Sequence, residues 1–218
     1  MATTFNITEK TEITRLPKRG VYDKDQINAI LDEALFCTLA YVRDTPSGAQ
    51  AFQIPTGFCR IDDKLYLHGS VGSFYMRELA DKNQPVCISV TLIDGLVLAR
   101  SAFHHSVNYR SVVIFSTAEK VTDNNELYAA LEVFTNKMQP GRWNDVRKPS
   151  TGEWKATMVL SFNIEEASAK IRTGPPLDDD EDYSLDIWAG VVPLKQERKQ
   201  AIPDVKLKHG ILLPDYLK

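Results

Sequence analysis

The sequence predicts an α+β domain that is mainly β, with about six strands in an antiparallel sheet closed or partly closed into a barrel. Three observations predict it. Short apolar runs rich in strand-forming residues recur along the chain, bounded by turn residues. Those runs follow one another through short turns, which favours antiparallel pairing. Helical periodicity is confined to a few segments, and closing the sheet is the economical way to remove its edges.

The elements follow in order. Residues 1–14 are polar and read as a flexible lead-in. Arg15-Leu16-Pro17-Lys18-Arg19-Gly20 is a basic turn. Asp23 caps a helix, KDQINAILDEA, with Gln26 where a capping box wants it. Ile27, Ile30, Leu31 and Ala34 give that helix one apolar stripe. Residues 36–43 form a strand, 44–48 a turn, and 51–61 a second strand interrupted by Pro55 and Gly57. Proline there implies an edge or a bulge, and glycine the close approach of another group. Asp62-Asp63 turns into a strand at 64–67, and a helix at 73–82 stops at Asn83-Gln84-Pro85.

Residues 86–93 are an apolar strand, Asp94-Gly95 opens a turn, and 111–121 is a strand again. Asp123 caps a helix, NNELYAALEVFTNKM, whose stripe is Leu127, Ala130, Leu131 and Phe134. Residues 142–155 read as irregular, 157–164 as a strand, and 168–172 as its extended continuation. The acidic run at 178–182 reads as solvated surface. Residues 188–194 are compact and apolar. We expect one domain over 15–195 and a tail, 196–218, packed on or near it.

The 218 residues suit a single core of this size. A net charge of −3 favours neither nucleic acid nor an anionic membrane as partner. Cys37, Cys59 and Cys87 are odd in number and lack CxxC spacing, so they read as buried, reduced thiols and not as disulfides or zinc ligands. The polar start is not a signal peptide, and no apolar run is long enough to span a membrane. A cytoplasmic enzyme or binding protein fits these features.

The stretch LYLHGSVGSFYMR, residues 65–77, carries the chemistry. It reads as a strand, a turn through Gly69 and Gly72, and a helix capped by Ser73. A helix N-terminus offers unpaired N–H groups and partial positive charge, which favour a phosphate. Ser70 and Ser73 add hydroxyls, and Arg77 a guanidinium one turn later. Neither GxGxxG nor GxxxxGK[ST] is present, so local chemistry alone leaves two readings open: an ordinary strand-to-helix turn, or a phosphate site.

RGVYD at 19–23, LYLHGS at 65–70, DGLVLARSAFHHSVNYRSV at 94–112, EASAKIR at 166–172 and WAGVVPL at 188–194 appear in one order. In that combination the chain resembles the pyridoxamine 5′-phosphate oxidase-like flavoproteins over residues 15–195, most of all the nitroimidazole-resistance (Nim-type) branch. The resemblance implies a six-stranded FMN-binding split barrel, a homodimer, and FMN held between subunits. It implies that Leu67, His68, Gly69, Ser70 and Ser73 line the phosphate and ribityl chain, with Arg77 added from the local chemistry as the substitute for the family's basic pair. It places Gln53, Ile54, Pro55 and Thr56 beneath the isoalloxazine, and Arg110 and Ser111 at a cofactor-contacting strand. It has Trp188 reach towards the flavin, often from the partner. One departure stands out. The oxidases proper follow the phosphate-turn serine with a basic pair, whereas Phe74 and Tyr75 follow Ser73 here. Their Arg-x-His substrate motif has no counterpart, since His209 lies in the tail between Lys208 and Gly210. Pyridoxamine phosphate oxidation is therefore not expected.

His68 stands where Nim-type proteins carry a histidine near the flavin. Two roles stay open: a proton donor or substrate contact, and a hydrogen bond to the turn. His104-His105 would point to opposite faces of a strand, and no acid or cysteine sits at ligand spacing nearby, so no metal is expected. Structural and cofactor-pocket roles both remain, including a single axial ligand to haem. The expected function is an FMN-dependent oxidoreductase acting on a small organic substrate. The alternative is a non-catalytic flavin- or haem-binding protein for storage, sensing or sequestration.

Overall fold

Three strands that bend from one sheet into another build this molecule. The computed structural model describes residues 3–218. The strands are β1 (Gly20–Val21), β2 (Phe36–Thr45), β3 (Gly48–Gly57), β4 (Cys59–Ile61), β5 (Lys64–Ser70), β6 (Pro85–Leu98), β7 (Ser106–Thr117), β8 (Glu119–Lys120), β9 (Thr157–Asn163), β10 (Glu166–Arg172) and β11 (Gly190–Pro193). The helices are α1 (Lys24–Glu33), α2 (Phe74–Lys82), α3 (Asn124–Met138), α4 (Arg142–Asp145) and α5 (Thr151–Ala156). One sheet runs β1-β10-β7-β6-β2-β3, with β11 also paired to β6; the other runs β4-β5-β9-β8. Every pairing is antiparallel.

β3 continues into β4 past Phe58, β7 into β8 past Ala118, and β9 into β10 past Ile164-Glu165. Phe58, Ala118 and Ile164 are all buried. Counting each bent pair once leaves six long strands, with β1 and β11 as short attachments. This is the expected six-stranded antiparallel split barrel. Strands that change sheet at a corner let the two layers share one core.

Alternation decides what fills that core. Cys37, Leu39 and Tyr41 of β2, Val86, Ile88 and Val90 of β6, and Val112 and Ile114 of β7 all point inward. Ile27, Ile30 and Leu31 of α1 and Met76 and Leu79 of α2 join them, as the helical stripe of α1 requires. On the outer face of the second sheet Cys59, Tyr66 and Val159 meet Val121 and Ala130, with Leu127 and Phe134 of α3 packed over them. β9 is buried from Met158 to Phe162 because it has the core on one side and a covering layer on the other.

Two of the three predicted caps form: Asp23 accepts from the Gln26 amide at 2.9 Å and Asp123 from the Glu126 amide at 2.8 Å, whereas Ser73 precedes its helix without a side-chain capping bond. Several expectations are corrected. Residues 94–98 do not turn but extend β6, with a register shift between Ile93 and Gly95. A side chain at Gly95 would lie 3.1 Å from the Val192 carbonyl, so glycine permits β11 to close on it. Residues 142–155 contain α4 and α5, the latter held by a capping box between Ser150 and Glu153. His104 lies in the 3-10 turn Ala102–His104 and His105 just after it, so opposite strand faces do not describe the pair.

Of the expected lead-in, residues 1–2 lie outside the described residues; from there on the segment is anchored. Phe5 enters the core and its amide donates to the Tyr22 carbonyl at 2.8 Å. The tail beyond β11 has no strand or α-helix; its Tyr216 hydroxyl donates to Asp145 of α4 at 2.6 Å, and Arg198 donates to the Met138 carbonyl at the end of α3 at 3.0 Å. Among the described residues no helix is long and apolar enough to cross a membrane.

Leu39 sits fully buried where β2 faces the core. Leu39→Ala should cost about 2–5 kcal/mol, read as a lower midpoint in chemical denaturation at unchanged slope.

Candidate functional site

α2 begins at Phe74 because Ser73 breaks the helical run with extended backbone, φ −68° and ψ 125°. The Ser73 side chain makes no capping bond. The first amides of a helix have no intrahelical partner, so this end offers N–H groups together with a free hydroxyl. The turn before it is pinned. Ser73 N donates to Ser70 O at 2.9 Å, Gly72 N to Ser70 Oγ at 3.1 Å, and Val71 N to Ala156 O at 3.0 Å. A Cβ at Gly69 would stand 3.1 Å from Met76, so glycine lets α2 press onto the end of β5. Arg77 is exposed and lines an open groove of 390 Å³ with Phe74, Glu78, Asp81 and Lys82.

β3 lies beside this helix end. It pairs with β2 alone and is the open edge of its sheet. Pro55 is accommodated there in regular register, opposite Thr38, as an edge strand allows. Gln53 and Pro55 face outward, while Phe52 and Ile54 pack against the core. Thr56 meets Tyr75 of α2. The Arg43 guanidinium sits 4.4 Å over the Phe52 ring and 4.9 Å over Phe74, bridging β3 and α2. The structure thus sets the outward side of β3, with Gln53 and Pro55, next to the start of α2, where Gly69, Ser70 and Ser73 form the turn and Arg77 follows one helical turn later.

It does not bring the remaining predicted residues there. Leu67 is only 1% exposed and belongs to the core. His68 has the same strand parity as Tyr66, so its ring turns towards α3 and stacks edge-on against Phe134, 4.3 Å between centroids. Burial holds its pKa below the ordinary 6.5, keeping the imidazole neutral. Phe134 also explains Gly57, where a Cβ would lie 3.0 Å from its ring. Arg110 and Ser111 are on β7, three strand spacings (about 14 Å) from β3. Ser111 Oγ donates to Lys170 O at 3.2 Å. Trp188 lies before β11 and is 68% exposed.

Arg110 has its own setting. Its Nε and Nη2 donate to Asp94 at 2.9 and 2.8 Å, and its other bonds go to Glu33 at 2.5 and 2.8 Å. That guanidinium holds the Glu33 carboxyl below its usual range. These three residues and Lys137 line a 640 Å³ cavity closed by the start of the tail. Lys137 donates to Leu31 O at 2.8 Å and lies 3.6 Å over the Phe58 ring; burial lowers its pKa to about 8. Sequence reasoning missed Arg43, Phe134 as a cover for His68, and Lys137. Only Lys137 left a signal, standing three residues beyond Phe134 on the stripe of α3.

A family model described as pyridoxamine 5′-phosphate oxidase matches residues 23–171. The solved flavocytochrome Anf3 from Azotobacter vinelandii is 35% identical over 96% of this chain and 95% of its own, with a TM-score of 0.87. The FAD and heme binding protein from Mycobacterium smegmatis is 34% identical over 91% of this chain and 95% of its own, with a TM-score of 0.84. A structure from Bacteroides thetaiotaomicron described as a 5-nitroimidazole antibiotic resistance protein shares the fold at 22% identity, TM-score 0.57, over 70% of this chain and 86% of its own. Among curated proteins nothing matches.

The depressed His68 pKa sets a direction for stability. The unfolded chain takes up the proton first, so stability should fall as pH drops through and below about 6.5. Melting temperatures of wild type and His68→Asn from about pH 7 to about pH 5 should show a steeper loss in the wild type.

Proposed function

The chain belongs to the pyridoxamine 5′-phosphate oxidase family, and on that premise we propose that it is an FMN-dependent oxidoreductase acting on a small organic substrate. The observation that carries the proposal is the α2 N-terminus: unpartnered amides, a Ser73 hydroxyl not used as a cap, and Arg77, all beside the open edge of β3. A phosphate fits that donor set, and Arg77 supplies charge where the oxidases proper have a basic pair. Ser73 and the first amides of α2 hold the phosphate in this reading, and Gln53–Thr56 meet the ring's polar edge. A bound flavin supplies the redox chemistry; the chain binds, orients and shields it.

Arg110 and Ser111 lie three strands from β3 within one protomer, which supports a homodimer in which a second copy brings them, with Trp188, to the cofactor. Trp188 and Phe103, both strongly exposed, suit such a contact. A proton-donor role for His68 in this reading requires its ring to leave the α3 face, where it packs edge-on against Phe134. Residues 15–195 form the flavin domain, with 196–218 as its appended tail. Three unpaired thiols support a reducing compartment, the cytoplasm.

A second reading is favoured by two relatives. The structures at 35% and 34% identity are described as a flavocytochrome and as an FAD and heme binding protein. Flavin or haem binding without turnover accords with a His68 sealed under Phe134.

The purified chain, mixed with FMN or FAD and desalted, should retain flavin absorption with FMN. Ser73→Ala and Arg77→Ala should each weaken retention by about 1–3 kcal/mol. Retention of FAD alone would correct the cofactor and keep the phosphate site; a colourless protein would overturn the proposal. If His68→Ala binds flavin and reduces a nitroaromatic at the wild-type rate, the proton-donor role is lost.

A further inference from the structure

We propose that His104, Asp179 and Asp182 bind a divalent transition-metal cation of the zinc type, which fastens the acidic strap after β10 to the connection between β6 and β7. His104 and Asp179 are 75 residues apart in the chain, yet His104 Nε2 lies 3.2 Å from Asp179 Oδ2. One donor atom from each of His104, Asp179 and Asp182 lies within 4.8 Å of the other two. Ligands at about 2.1 Å around a tetrahedral ion stand roughly 3.4 Å apart, so modest rotations of two aspartates complete the set. One imidazole nitrogen and two carboxylate oxygens suit zinc, with the remaining position left to water.

Two local devices bring these groups together. Ser101 accepts from the Phe103 amide at 3.2 Å and forms the 3-10 turn that ends in His104. On the strap, Asp179 directly precedes the 3-10 turn Asp180–Ser184 with its side chain unused as a cap, and the Asp182 amide donates to the Asp179 carbonyl at 3.0 Å. This turn sets both carboxylates towards His104.

The strap does not need these contacts in order to dock. The Asp178 side chain is fully buried and accepts from Arg100 N at 3.0 Å, Ser101 N at 3.3 Å and Arg100 Nη1 at 3.1 Å. Asp179 and Asp182 are then left facing each other with two negative charges. A single imidazole cannot balance both, whatever its protonation. Among the described residues no lysine or arginine forms an ion pair with either, and Asp180 and Glu181 add to the field. A divalent cation removes that repulsion and uses each donor. His105 is not part of the set, since its Nδ1 is engaged with the Ser101 carbonyl at 2.9 Å.

The test is calorimetric titration of Zn²⁺ into the metal-free, full-length chain. One ion per chain is expected, with binding lost in His104→Ala and in Asp182→Asn but kept in His209→Ala, which changes the tail histidine. Thermal unfolding without zinc checks that each variant folds, and Asp179→Asn replaces one that does not. Zinc should raise the melting temperature of the wild type and not that of the binding-site variants. No binding by the wild type, or stoichiometric binding that survives in both site variants, would overturn the site. Equal binding of Ca²⁺ that ignores His104→Ala would show only a diffuse acidic surface and also overturn it.

Discussion

The structure depends on one constraint: strands of limited length must bury apolar faces in two layers at once. Bending at Phe58, Ala118 and Ile164 meets it, because each bend turns a strand whose first half faces one layer into a strand that completes the other. The buried residue at each bend removes apolar area from water at the point where the hydrogen-bond ladder is interrupted. The helices then take what the barrel leaves uncovered. α1 and α2 supply core residues, and α3 seals the outer face of the second sheet.

The candidate site is a by-product of that closure. β3 has no neighbour on its outer side, so its backbone edge is open, and α2 starts beside it with unspent amide donors. An edge strand is a liability in a soluble protein unless something covers it. Here Pro55 blunts pairing, and Arg43, stacked on Phe52 and Phe74, ties the edge to the helix. The same geometry that needs covering therefore presents donors to a ligand or to a second copy.

Charge is distributed to match. Arg110, fixed by two carboxylates, lines the 640 Å³ cavity, and Lys137 sits half-buried against an aromatic ring with its pKa lowered by desolvation. These pairs are partly exposed, so they orient side chains more than they stabilise the fold. Burial rather than pairing sets the state of His68, whose ring packs edge-on against Phe134.

The sequence by itself determined most element types (α4, α5 and the extension of β6 excepted), the capping residues Asp23 and Asp123, the apolar stripes of α1 and α3, and the motif order that marks the family. Each of these is written in neighbours a few residues apart, where propensity and periodicity act. Tertiary structure alone decided that His68 turns beneath α3, that Gly57 yields to Phe134, that Arg110 is captured by Glu33 and Asp94, and that an acidic run read as mere surface meets His104. These outcomes join residues tens of positions apart. Only the closing of the barrel and the pairing of loops across it fix such distances, and no local pattern records which partners it will bring together.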